Sequence, residues 1–100
     1  MKYLMATWGY KVYKIPADAI GKHRAQYYAE LDSGKSAGDE YDKVYQNEFQ
    51  IGMDDDIELA DWAANNMNWE DVSDHVVSVK SVELDIYDEW CNAEMEILDE

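Results

Sequence analysis

The chain has 100 residues, 47% of them hydrophobic and thirteen of them aromatic, which is enough apolar material for one folded domain and too much for a disordered acidic tail. Its net charge is −15, with 23 Asp and Glu against eight Lys and Arg, so anionic membranes and nucleic-acid phosphate are excluded as direct partners by repulsion. Cys91 is the sole cysteine, which rules out an intramolecular disulfide and suits a reducing, cytoplasmic compartment.

Residues 1–15 are rich in Tyr, Val, Trp and Ile, and read as extended structure with a bulge or tight turn at Trp8-Gly9. This stretch mixes Lys2, Lys11 and Lys14 among its apolar residues, so no leader peptide is expected, and no run approaches the roughly 18 apolar residues of a membrane span. Pro16 ends the strand and suits the first turn of a helix from 17 to about 31, whose apolar face is expected to be Ile20, Tyr27, Tyr28 and Leu31. A polar, glycine-punctuated loop covers 32–38. A second helix is expected from about Asp39, with Tyr41, Val44, Tyr45 and Phe49 on one face, although 44–51 also alternates as a strand would.

Asp54-Asp55-Asp56 places carboxylates where the positive end of a helix dipole favours them. The helix that follows is expected to show a stripe of Ile57, Ala60, Ala64 and Met67, flanked by Leu59, Trp62 and Ala63, and to stop at Asn65-Asn66. Residues 69–74 read as a short turn and 75–80 as a strand carrying three valines. Beyond Val82 the period changes: Ile86, Trp90, Ala93 and Ile97 share a helical face, so the chain is expected to end on a helix. The fold class is therefore α+β, one domain over 1–100, in which two to three strands (an N-terminal strand or hairpin plus 75–80) pack against three to four helices.

The charge is sorted along the chain. Residues 1–36 hold six Lys and Arg against three acids, whereas 37–100 hold twenty acids against Lys43 and Lys80, so the two parts carry +3 and −18. The acids recur in clusters at 39–42, 54–61, 70–74, 83–89 and 94–100. A monomer of this mass exposes roughly 5,800 Å², about one carboxylate per 250 Å². Duplex DNA carries about one charge per 100 Å² if its radius is taken as roughly 10 Å, so only a converged face approaches it. Lys11, Lys14, Lys22, His23 and Arg24 are expected to neutralise part of the acidic field within the fold or across a homodimer interface.

No catalytic or metal motif competes with the charge. The Asp54 to Glu58 run lacks calcium-loop spacing, and His23, His75 and Cys91 show no zinc-ligand spacing. Cys91, beside Trp90 on the expected helix, reads as a buried structural thiol rather than a nucleophile paired with His75. There is no phosphate-cradling glycine loop and no nucleophile elbow. A non-enzymatic protein without cofactor or metal is expected.

The runs YKIPADAIGKHRAQYYA (13–29) and DWAANNMNWEDV (61–72) resemble pieces of small, mostly uncharacterised acidic proteins of bacteriophages. By charge and size alone the chain also resembles phage DNA-mimic inhibitors. That likeness implies an inhibitor of a basic, nucleic-acid-binding host protein of defence or transcription, acting in the host cytoplasm. The residues expected to meet such a partner are Asp54, Asp55, Asp56, Glu58, Asp61, Glu70, Asp71 and Asp74, with Asp88, Glu89, Glu94 and Glu96 in second rank. The alternative is an adaptor that binds through exposed aromatics, its acidity serving solubility.

Overall fold

A computed structural model describes residues 1–83 and 89–100. β1 (Lys2–Trp8) and β2 (Lys11–Pro16) form an antiparallel hairpin, and the two turn residues, Gly9 and Tyr10, have φ of 56° and 67°. Positive φ at both positions is the type I′ geometry whose twist matches a hairpin; glycine reaches it freely and Tyr10 at a steric cost. β3 (Ser78–Ser81) pairs with β2, and β4 (Glu94–Asp99) pairs with β1. The sheet is antiparallel throughout, in the order β3-β2-β1-β4.

The fourth strand corrects the expectation of a terminal helix. Trp90–Asn92 is a single 3-10 turn and Glu94–Asp99 is extended, while Ile86 and Tyr87 lie outside the described residues. Met95 and Ile97 turn toward the helices, whereas Glu94, Glu96 and Leu98 face away, a period of two that the helical match of Ala93 with Ile97 concealed. The 3-10 turn also overturns the reading of Cys91: it carries Trp90 inward and leaves the Cys91 thiol exposed. The strand expected over 75–80 begins only at Ser78, and the turn expected at 69–74 is instead a one-turn helix, α4 (Trp69–Ser73).

The helices cover one face of the sheet. α1 (Ala17–Ser33) lies on β1 and β2, α2 (Asp39–Met53) packs along α1, and α3 (Asp56–Asn66) sits against α1 and β4. Residues 44–51 are therefore helical. The buried side of α1 is Ala17, Ile20, Gly21, Arg24, Ala25 and Ala29, and Tyr27 and Leu31, expected inside, are 51% and 62% exposed. Small residues prevail because α2 approaches closely: a Cβ on Gly21 would stand 2.9 Å from Met53 Sδ. On α3 the buried stripe is Leu59, Trp62 and Ala63, at i, i+3 and i+4. Ile57 stands two residues before Leu59, about 200° around the helix, and is 84% exposed.

Leu4, Ile15, Ile20, Leu59 and Val72 form the fully buried centre. Each such burial stabilises the fold by about 1.5–3 kcal/mol. Trp8, Tyr13, Trp69 and Trp90 close one end, with ring centroids 4.7–6.2 Å apart, and Trp90 Nε1 donates to the Ala63 carbonyl at 2.9 Å. Arg24, 7% exposed, joins the three long helices through Glu48 at 2.9 Å on α2 and Glu58 at 3.2 Å on α3. This pairing, with Lys14 to Glu100 at 2.8 Å, neutralises part of the acidic field within the fold.

Candidate protein-binding surface

Asp55 starts α3 as its N-cap, its carboxylate accepting the Glu58 N–H at 3.1 Å. That cap fixes the direction of the next turn and puts Asp56, Ile57, Ala60 and Asp61 on the side of α3 that overhangs β4. Together with Met95, Glu96 and Ile97 they line a groove of about 430 Å³. Its floor is apolar and its rim is carboxylate.

The carboxylates beside this groove come from separate parts of the chain. Lys2 Nζ donates to Asp56 Oδ1 at 2.9 Å and to the Met53 carbonyl at 2.8 Å, which ties the α2–α3 junction to the first residue of β1. The Lys2 pKa is raised, chiefly by that hydrogen bond to Asp56, against the lowering effect of desolvation and with help from the fields of Asp56, Asp99 and Asp54. Three acidic segments therefore meet around one lysine: the end of α2, the start of α3, and β4. Asp61, one turn further along α3, accepts from the Asn65 side chain at 2.8 Å and remains exposed.

The backbone of β4 adds a second feature. The Met1 ammonium donates to the Glu100 carbonyl and the Glu100 N–H donates to Met1 O at 2.9 Å, so residues 1 and 100 are a hydrogen-bonded pair. Alternation along an antiparallel ladder then assigns Glu94, Glu96 and Leu98 to bonds with β1 and turns the N–H and C=O groups of Met95, Ile97 and Asp99 outward. β4 is an edge strand, and among the described residues no hydrogen bond reaches those outward groups.

Of the residues expected to form the site, Asp54, Asp56 and Asp61 are brought together and joined by Asp99, while the second-rank Glu96 lines the same groove from β4 with its side chain on the outer face of the sheet. Glu58 turns the other way, to Arg24. Glu70 and Asp71 belong to α4 and Asp74 caps its C-terminus; Asp71 accepts the Asn68 N–H at 2.8 Å and lines a separate concavity with His23 and His75. Glu89 stands before the 3-10 turn near Cys91 Sγ, and Asp88 lies outside the described residues. Ile57, Met95 and Ile97 went unrecognised as site residues. For Ile57 a signal existed, since a buried stripe built on Leu59, Trp62 and Ala63 leaves it no place inside.

The total surface is 6158 Å², about one carboxylate per 270 Å², so density rises above the average only at such convergences. Among the described residues no set of three His, Cys, Asp or Glu is placed to hold a metal ion, and no helix is long and apolar enough to cross a membrane. Among the described residues, Tyr10 and Tyr27 are the aromatics more than half exposed; they lie on the hairpin turn and on α1 and share no ring contact. Compared with known proteins, the chain matches no family model, no curated protein and no solved structure.

Proposed function

We propose that this protein is a stoichiometric, non-enzymatic inhibitor that binds a basic nucleic-acid-binding protein and keeps it from its nucleic acid. The convergence of Asp54, Asp56, Asp61 and Asp99 beside the exposed Ile57 carries this reading. One-signed carboxylates attract a basic surface over long range and speed its encounter, with on-rates that fall steeply in salt. The apolar floor and the free edge of β4 supply the short-range contacts that charge lacks, since an extended partner segment can pair with an open strand. The resemblance to phage-encoded acidic proteins points to a host defence or transcription protein as the partner.

The test is displacement from DNA. Host proteins loaded on immobilised duplex DNA are challenged with the protein at about 150 mM salt, where surface charge is partly screened. Release of a discrete species in proportion to the inhibitor is expected, and a folded Asp54→Lys, Asp56→Lys, Asp61→Lys variant should release none. No release by the parent protein, or equal release by both, contradicts the proposal.

A further inference from the structure

Alternate residues of β1 separate the two faces of the sheet. Leu4 and Ala6 point into the helices, and Tyr3, Met5 and Thr7 point away. The register adds Val12 and Lys14 of β2, Ser78 and Lys80 of β3, and Glu94, Glu96 and Leu98 of β4 to that outer face. No element among the described residues covers it. Two shallow concavities of about 260 and 400 Å³ run across it, both floored by Met5, Val12 and Leu98.

The chemistry of this face departs from that of the rest of the surface. On a chain of −15, two lysines (Lys14 and Lys80) against Glu94, Glu96 and Glu100 leave it at −1. A face meant only for water would be expected to hold more of the carboxylates in which the chain is rich. The charges are also sorted by row: one row reads Lys80, Val12, Thr7, Glu94 from β3 to β4, and the next reads Ser78, Lys14, Met5, Glu96.

We infer that the open face is the interface of a homodimer, two copies stacked sheet on sheet about a two-fold axis parallel to the strands. Such an axis reverses the left-to-right order of strands and preserves the rows. It sets Lys80 over Glu94 of the second copy, places Glu96 of the second copy over Ser78 beside Lys14, and buries Met5 and Val12 near the axis with Leu98 at the β4 margin. An axis across the strands would instead stack Glu94 and Glu96 on themselves. Sheets packed in this way align to within about 30°, close enough to keep the rows in contact. Four strands about 4.8 Å apart and about six residues long offer roughly 19 by 20 Å per copy. The flat area is about 760 Å² for the pair, short of the about 1,200 Å² of specific interfaces, so only a weak dimer, with a dissociation constant of roughly tens of micromolar or more, is expected.

Sedimentation equilibrium at about 100 µM protein and about 300 mM NaCl, where repulsion between the acidic bodies is screened, tests the dimer. Dimerisation of the parent protein is expected. Lys80→Glu and Glu94→Lys should each weaken it at least about tenfold, and the double exchange, which returns the net charge to the parent value, should restore it. Asp42→Lys on α2 matches the charge change of Glu94→Lys away from the face and should not weaken association. A parent protein that is monomeric under these conditions, or a double exchange no stronger than either single change, overturns the inference.

Discussion

The α3–β4 margin and α4 are equally acidic in sequence, with five acids among the eight residues of 54–61 and three among the five of 70–74, yet their carboxylates do different work. At the margin, side chains from α2, α3 and β4 collect around Lys2, beside an isoleucine that the core has no room for. On α4, Asp71 is engaged by the Asn68 N–H, and its neighbours flank a single helical turn with no second acidic segment shown against it. The density of acids in a sequence therefore says little about availability. What decides it is whether distant segments bring their carboxylates to the same place.

Glu58 sharpens the comparison within one helix, because it stands two residues from Asp56 and serves the interior. Replacing its partner by Arg24→Met strands Glu48 and Glu58 in a partly buried site and should cost about 3 kcal/mol by denaturant titration. A loss under about 1 kcal/mol would mean that these carboxylates find other partners or water at little cost. The next effect is smaller. Asp71→Ala removes an acceptor from the start of α4 and should cost about 1 kcal/mol, whereas Asp61→Ala at the margin should stay within about 0.5 kcal/mol. Equal costs would erase the distinction between a capping acid and an available one.

Repulsion gives a third contrast. Melting temperature should rise by a few degrees between about 50 and 500 mM NaCl as the acidic field is screened. The exchange Asp54→Asn, Asp61→Asn, Glu96→Gln should reduce that rise more than Glu70→Gln with Asp74→Asn. A melt independent of salt in the parent protein would contradict the crowding of charge at the margin. The smallest effect lies at alkaline pH. Lys2 has its pKa raised from 10.5, chiefly by the hydrogen bond to Asp56, so its contribution is complete below that value and is lost as pH climbs through the folded pKa. Tyr41 and Tyr45 are raised from 10.0, first by desolvation, so the unfolded chain ionises before the fold does and stability again falls. Melting temperature should be level from about pH 7 to 9 and decline above about pH 10. Lys2→Met should remove the Lys2 share of that decline and leave the tyrosine share.

Local chemistry made the hairpin, α1, the start of α3 and a loop after α1 legible, though α1 runs on through Asp32 and Ser33 to Gly34, because Gly9, Pro16, Gly34 and the aspartate run are conformational signals contained within a few residues. The end of the chain was not legible in the same way. β4 exists because β1 has an edge to satisfy and α3 has a groove that accepts Met95 and Ile97, and both facts depend on residues more than thirty positions away. The outward Ile57 and the inward Arg24 likewise follow from which face of each helix the neighbouring helix takes. At the site, the acidity of 54–61 was apparent from sequence, whereas the partition between Asp56 and Asp61 on one side and Glu58 on the other became apparent only with Arg24 in place.

The most direct measurement is a chemical-shift titration of the isotope-labelled protein with a peptide of about eight alternating Lys and Val residues, long enough to lie along β4. Saturable shifts concentrated on residues 54–61 and 94–99 are predicted, lost in the Asp54→Lys, Asp56→Lys, Asp61→Lys variant. Shifts as large at Glu70, Asp71 and Asp74, or spread evenly over every acidic cluster, would contradict a binding surface at the α3–β4 margin.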